Sequence, residues 1–204
     1  DKEVFALIND MQNNSDIYMA LRNAHDELWH DYPNISKNIE LLNIFSMRQP
    51  YSLLMAAYKV FDIKMFEKIL NYIINIGFRY SVICGKNPND IERVYNNIAI
   101  SISNNREFVL DELKVIYVND SEFLPIFNHK TFVDSTRNRK IVRYILNKYE
   151  RFKGGTRDSA LSSETDTIEH ILPQNPDENW GDNNYDFDTL IYRLGNLCLL
   201  EKNF

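Results

Sequence analysis

Two stretches near the C-terminus decide how this part of the chain folds: TIEHILPQNP at residues 167–176 and RLGNLCLLEKN at residues 193–203. Each contains a short apolar run of strand length, at 167–172 and at 197–200. The segment 186–192 between them has a helical pattern of apolar residues. We therefore predict two short strands that belong together, with a helix in the connection between them.

The same stretches place one histidine and two asparagines, His170, Asn196 and Asn203, at gaps of 26 and 7 residues. Phosphodiester hydrolysis needs a deprotonated water, and an imidazole accepts a proton near neutral pH. It also needs a divalent cation, held by oxygen ligands, to stabilise the charge on the phosphate and on the leaving oxygen. The order and spacing of the three residues are similar to those of a His-Asn-Asn metal-dependent nuclease site.

The letters around these residues carry a family resemblance: EHILPQ at 169–174, Trp180, YRLGNLCLL at 192–200 and a closing asparagine. This pattern resembles the C-terminal nuclease domain of GmrSD-type restriction endonucleases, which belong to the HNH, or His-Me finger, nucleases. The resemblance covers residues 106–204, and its motifs lie at 167–203. It implies an endonuclease that restricts phage DNA, often modified DNA, and a core of two strands followed by a helix.

The resemblance also assigns roles to individual residues. His170 would be the general base, and Asn203, at the start of the last helix, would bind Mg²⁺ or Mn²⁺ through its amide oxygen. Glu169 would be a second metal contact, as the acidic residue before the histidine is in many HNH enzymes. Asn196, counted with the catalytic residues, would order the site by hydrogen bonds rather than perform chemistry.

Glu169 and His170 present a geometric problem, because adjacent residues on a regular strand point to opposite faces of the sheet. Both can face one ion only if the strand ends or bulges at this point. Proline donates no hydrogen bond to a strand ladder, so Pro173 disfavours continued pairing. The sequence therefore favours an early end of the first strand.

Charge is distributed unevenly along the chain, although the net charge of −6 is a mild argument against a nucleic-acid partner. Residues 1–105 carry 10 cations and 12 acids, residues 106–157 carry 11 and 7, and residues 158–204 carry 2 and 10. A basic segment thus directly precedes the acidic segment that carries the histidine. This asymmetry is compatible with a phosphate-binding surface beside a metal-binding pocket.

A basic helix is predicted at 137–153. Its buried side is expected to hold five residues: Ile141, Tyr144, Ile145, Tyr149 and Phe152. Its cations are expected to contact the backbone of double-stranded DNA: Arg137, Arg139, Lys140, Arg143, Lys148 and Arg151. A plain solvated helix face is the alternative interpretation, and it has equal weight.

The N-terminal part is helical in its pattern, with apolar residues at spacings of three and four and with prolines at the breaks. Residues 1–153 are predicted to form an array of seven or eight helices, and residues 154–166 a flexible polar connector. The fold class is therefore mainly α: a multi-helix array followed by a small ββα-type motif. The predicted domains are a helical region, 1–105, and an HNH-type nuclease region, 106–204.

Several classes of protein are excluded by the patterns that are missing. No run approaches the roughly 20 apolar residues that cross a bilayer, and the N-terminus lacks the basic start and apolar run of a signal peptide. Cys84 and Cys198 lie in apolar surroundings and are expected to be reduced, which favours the cytoplasm. No Gly-rich phosphate loop, Ser-His-Asp order or CxxC pair is present, so kinase, triad-hydrolase and zinc-ribbon interpretations drop out.

The remaining histidines have plain interpretations. His25 and His30 are five residues apart, whereas metal ligands on one helical face need a spacing of three or four. We therefore expect surface or packing roles for both. His129 is predicted to lie in a loop, with no partner indicated by the sequence.

The chain begins with Asp1 and ends one residue after Asn203, so we expect it to be a fragment whose last, metal-bearing helix is truncated. The N-terminal ParB-like domain of the GmrSD family has no counterpart in these residues and is expected in the parent protein. Cys198 stands where the family usually has a threonine. The alternative function is a non-catalytic helical module, binding DNA or another protein, whose nuclease motif is inert.

Overall fold

The computed structural model describes residues 2–104, 106, 108–155, 166–175 and 187–201 of the 204-residue chain. Within these residues the fold is mainly helical, with a two-stranded antiparallel sheet near the C-terminus, which confirms the predicted fold class. The chain divides into two compact units, residues 1–124 and 125–204. The domain boundary predicted between residues 105 and 106 stays a prediction.

The first unit is built from five α-helices: α1 (Lys2–Ala20), α2 (Pro33–Ile44), α3 (Tyr51–Val60), α4 (Ile63–Gly77) and α5 (Pro88–Ser103). Shorter pieces connect them: 3-10 helices at Glu27–Trp29 and Leu110–Ile116, and a π-helical segment at Phe78–Ile83. Side-chain caps begin two of the helices. Asp62 accepts a hydrogen bond from the backbone N–H of Met65 at α4, and Asn87 accepts one from Asn89 at α5.

The interior of this unit is apolar and aromatic. The Trp29 ring stacks on Phe66 with a centroid distance of 5.7 Å, and the Tyr58 ring meets both of them edge-on. The indole N–H of Trp29 donates to the carbonyl of Ala20 at 2.8 Å, so its one polar atom is satisfied. Full burial of a large apolar side chain contributes roughly 1.5–3 kcal/mol. Side-chain burial is therefore the main source of stability in this unit.

The second unit contains the predicted strand pair. Helix α6 (Asp120–His129) crosses the division of the chain. It is followed by α7 (Thr136–Phe152), β1 (Asp166–His170), α8 (Phe187–Ile191) and β2 (Leu197–Glu201). The strands run antiparallel, with Asp166 opposite Glu201 and His170 opposite Leu197. Two strands with a helix between them were predicted, and this arrangement is confirmed.

The first strand is shorter than its apolar run. It ends at His170, whereas the run predicted a strand to residue 172. Beyond His170 the backbone N–H of Ile171 donates to the carbonyl of Asn196, which lies outside the paired strands. This hydrogen bond continues the register of the strands by one position, and the chain bends at Ile171 and Leu172, where the regular strand has ended.

Helix α7 confirms the predicted basic helix and corrects its buried side. Ile141, Tyr144 and Ile145 are buried as expected. Tyr149 and Phe152 are instead 59% and 82% exposed, so the prediction for these two was wrong. The physical reason is that the buried residues of α7 end at Asn147, and the last turn extends past the packed part of the helix.

The seven α-helices found in the described part of residues 1–153 agree with the predicted array. None of the helices that the structure describes combines the length and the apolarity needed to cross a membrane.

Candidate functional site

His170 lies at the C-terminal end of β1 and is half-buried. Its Nε2 is 3.3 Å from the side-chain nitrogen of Gln174, and its ring meets Tyr192 edge-on at 5.8 Å between centroids. A strand end, a glutamine and an aromatic edge thus fix the orientation of the imidazole.

The imidazole borders a pocket of about 360 Å³ that lies within the second unit. We call it the His170 pocket. Residues from before α7, from α7 itself, from β1 and from the α8–β2 connection line it, among them Asp134, Asn138, Arg139, Arg143, Glu169 and His170. Four residues predicted from the sequence, His170, Glu169, Arg139 and Arg143, therefore meet at one pocket.

Glu169 borders the pocket from a regular strand position. It is opposite Cys198 in a register that runs unbroken from Asp166 to His170, and it is more exposed than His170. Both residues line the pocket, although the register is unbroken up to His170, where β1 ends. The early end of the first strand, which the sequence favoured, is found at His170.

Asn196 acts as a clamp behind the histidine. Its Oδ1 accepts from the backbone N–H of Leu172 at 2.6 Å, and its Nδ2 donates to the carbonyls of Leu172 at 3.1 Å and Ile191 at 3.0 Å. Its own carbonyl accepts from the N–H of Ile171 at 2.9 Å. These bonds tie the segment after His170 to the end of α8. Asn196 is not among the described residues that line the pocket.

Asp134 is a pocket residue that the sequence did not single out. Its carboxylate accepts two hydrogen bonds from Arg139, from Nε at 2.6 Å and from Nη2 at 3.1 Å. These hydrogen bonds, with the positive charge of Arg139, hold the pKa of Asp134 below its usual range. In the sequence Asp134 shows only as the residue before Ser135, a helix-cap signal that indicates local structure and not a site.

Backbone contacts deliver Asp134 to the pocket. The N–H of Phe132 donates to the carbonyl of Tyr192 at 2.8 Å, and Thr131 forms an antiparallel bridge with Arg193. The segment before α7 is thereby attached to the connection between α8 and β2. This contact joins residues about 60 positions apart, so no local pattern predicts it.

Comparison with known proteins agrees with the resemblance read from the motifs. Residues 117–204 match the family model of the C-terminal domain of GmrSD restriction endonucleases. The match includes the whole His170 pocket and covers less than half of the chain. None of the curated proteins compared with the chain matches it. The matched family is, by its description, one of restriction endonucleases.

The basic helix α7 divides its cations between two sides. Arg139 and Arg143, one turn apart, line the His170 pocket. Arg143 is anchored there, because its Nη2 donates to the carbonyl of Asp166 at 2.8 Å. The other predicted DNA-binding cations lie on a different side of the helix by their spacing: Arg137, Lys140, Lys148 and Arg151.

The residues predicted to hold a metal fall only partly among those that the structure describes. Asn203, the predicted metal ligand, and Trp180 lie outside the described residues. Within the residues that are described, no group of three or more His, Cys, Asp or Glu side chains is arranged to hold an ion. Of the two predicted metal ligands, Glu169 lies among the described residues, where it lines the pocket.

The remaining predictions concern residues away from this pocket. His129 is the last residue of α6 rather than part of a loop, and its Nδ1 is 2.9 Å from the carbonyl of Pro125. The loop prediction was wrong because the helix continues past Pro125 and ends on the histidine. Cys84 and Cys198 are both free thiols. His25 and His30 are exposed.

Proposed function

We propose that the GmrSD C-terminal domain hydrolyses phosphodiester bonds of double-stranded DNA with His170 as the general base. The observation that carries the proposal is the meeting of one imidazole and two guanidinium groups, His170, Arg139 and Arg143, at one pocket. A base beside two fixed cations suits a reaction in which a water loses a proton and a phosphate gains charge.

His170 takes the proton from the attacking water in this mechanism. Gln174 and Tyr192 hold the ring, and Asn196 holds the backbone behind it. Arg139 and Arg143 bind the phosphate oxygens, because a guanidinium presents paired N–H donors that match them. Asn196 contributes by order rather than by contact with the reacting atoms.

Mg²⁺ or Mn²⁺ is the metal that we propose for the site. Such ions bind proteins through one or two carboxylates, keep several waters and complete their shell with substrate phosphates. Glu169 at the rim of the pocket, together with the amide oxygen of Asn203, fits that donor set. When bound, the metal would neutralise charge on the phosphate and on the leaving oxygen.

The four cations on the other side of α7 are proposed to bind the DNA backbone away from the cut. Contacts of this kind are independent of sequence, and their contribution falls as salt displaces it. In the same proposal the parent protein is an HNH-type restriction enzyme that acts on phage DNA in the cytoplasm. Its ParB-like domain would precede the helices of residues 1–105.

The test is nicking of supercoiled plasmid by the full-length protein with Mg²⁺ or Mn²⁺, on modified and unmodified DNA. His170→Ala is expected to lower the rate about 10²–10⁴-fold, the usual contribution of a general base. Chelation should abolish cleavage. His30→Ala, which removes an exposed histidine of the first unit, is the matched control and should cut at the wild-type rate.

Cleavage by His170→Ala at the wild-type rate would refute the assignment of the base. Binding of DNA without cleavage, on every plasmid and with either metal, would favour the alternative of a non-catalytic helical module.

A further inference from the structure

We propose that Asp134 is a positioning residue of the nuclease site, which holds the Arg139 guanidinium where the scissile phosphate binds. The inference rests on the proposed function, because it assigns the partner of a phosphate-binding arginine. It extends the site upstream of the histidine motif, to a carboxylate that the motif does not include.

The geometry of the pair supports this role. Asp134 accepts from Nε and from one Nη2 hydrogen of Arg139, at 2.6 and 3.1 Å. An arginine carries five N–H donors, so three remain for a phosphate while the carboxylate keeps its two. A free arginine side chain samples many rotamers, and a carboxylate that takes one edge of the guanidinium fixes the direction of the other.

Asp134 is itself held on both sides by the backbone. Before it, Phe132 and Thr131 are attached to Tyr192 and Arg193. After it, the Ser135 hydroxyl caps α7 by accepting from the N–H of Asn138 at 3.1 Å. The position of the Asp134 backbone thus depends on the fold and not on Arg139.

The side chain of Asn138 closes the turn around Asp134. It donates to the carbonyl of Val133 at 2.8 Å. The Asp134 carboxylate therefore leaves a turn whose two ends are both fixed. A group held in this way can orient a mobile partner such as Arg139.

A purely stabilising role is the weaker explanation of the pair. Both side chains are about half exposed, and ion pairs in that setting contribute little to stability. The first unit offers a matched pair in Arg79 and Asp120. Arg79 also donates to the carbonyl of Val118 and lies over the rings of Tyr117 and Phe123. Arg139 instead lines the His170 pocket.

The experiment is a double-mutant cycle on the cleavage rate of the full-length protein at saturating DNA. The variants are Asp134→Asn, Arg139→Gln and the double substitution, with Asp120→Asn as the matched control. We expect Asp134→Asn to slow cleavage roughly 10- to 100-fold, the cost of a misplaced catalytic contact. The Kd for DNA should change less than about threefold, since the charge that binds DNA is retained.

The double variant decides whether Asp134 acts through Arg139. If it does, Asp134→Asn with Arg139→Gln will be no slower than Arg139→Gln alone. Asp120→Asn should leave the cleavage rate unchanged. Unfolding midpoints of the two Asp→Asn variants should stay within a few degrees of the wild type, because the side chains of Asp134 and Asp120 are both at least half exposed.

Three results would overturn the inference. One is an unchanged rate in Asp134→Asn, and another is a double variant in which the two losses multiply. The third is recovery of the Asp134→Asn rate at raised Mn²⁺, which would make Asp134 a metal ligand instead. A wild-type protein that cuts while Asp134→Asn is unaffected refutes this inference alone, whereas a wild type that does not cut refutes the proposed function.

Discussion

In residues 1–124 large apolar side chains fill the interior, whereas hydrogen bonds order the ends of β1 and β2. Trp29, Phe66 and Leu54 are fully buried in the first unit. Around His170 the hydrogen bonds of Asn196 with Leu172 and Ile191, and of Phe132 with Tyr192, hold the backbone. A close-packed apolar core leaves no room for a pocket. Backbone segments joined by hydrogen bonds can surround a pocket while their N–H and carbonyl groups stay paired.

The difference has a functional consequence for the second unit. A pocket that takes a phosphate and water needs polar side chains at its surface, and those cannot be fixed by apolar packing. Hydrogen bonds of two residues fix these groups instead. Asp134 fixes the guanidinium of Arg139, and Asn196 fixes the backbone that follows His170. Three predictions test whether the two units differ in this way, from the largest effect to the smallest.

Leu54→Ala is expected to be the most damaging substitution of the three. Leu54 is fully buried in α3, which packs against α5. Its truncation should lower the free energy of unfolding by about 2–5 kcal/mol, through lost burial and the cavity left behind. Urea denaturation measures the change. Val60→Ala, on the exposed side of the same helix, is the control and should cost less than about 0.5 kcal/mol.

Asn196→Ala should affect the strand-bearing unit alone. The change leaves the N–H and the carbonyl of Leu172 and the carbonyl of Ile191 without their partner. We expect a cost of roughly 1–3 kcal/mol. Hydrogen exchange should speed up in β1 and β2 and stay unchanged in α3 and α5. Equal acceleration in both units would show that they do not differ as described.

Asn14→Ala is the control for that substitution, because the hydrogen bonds of Asn14 are exposed. It should leave exchange in β1 and β2 at the wild-type rate.

The third effect is confined to alkaline pH and is absent at neutral pH. Burial raises the pKa of Tyr144 in α7 to about 12, against about 10 for an ordinary tyrosine. The folded protein therefore keeps the proton longer than the unfolded chain does. The resulting stability is complete below about pH 10 and is lost as the pH rises towards 12.

Tyr144→Phe checks this expectation. Hydrogen exchange of α7 in the variant should depend less on pH between about 10 and 12 than it does in the wild type. An identical pH dependence in the two proteins would contradict it.

The parts of the molecule that follow from local pattern were predictable. The strand pair, the helix between the strands and the basic helix all rest on periodicity within a few turns, and each is found. The apolar run and Pro173 predict that His170 lies near the end of a strand. The structure has the strand end there, beside the pocket. The family match at residues 117–204 agrees with the motif that suggested it.

The parts that depend on contacts between distant residues were not predictable. Asp134 lies at the pocket because the backbone of Phe132 is hydrogen-bonded to that of Tyr192. Nothing in the local sequence around either residue indicates this contact. Tyr149 and Phe152 fit the apolar period of α7, yet the helix extends beyond the residues that are buried, and both side chains are exposed. Periodicity shows which side of a helix can be buried, and only the tertiary structure determines how far along the helix burial extends.

Cleavage measured beside stability in His170→Ala and Leu54→Ala tests the central claim most directly, with both proteins assayed well below their unfolding midpoints. If apolar packing in residues 1–124 provides stability and the His170 pocket provides the chemistry, His170→Ala will lose cleavage. Its unfolding midpoint will stay that of the wild type, since His170 is only half-buried. The same division of roles predicts that Leu54→Ala keeps the cleavage rate while its midpoint falls. Loss of cleavage in Leu54→Ala while it is folded, with activity retained in His170→Ala, would contradict it.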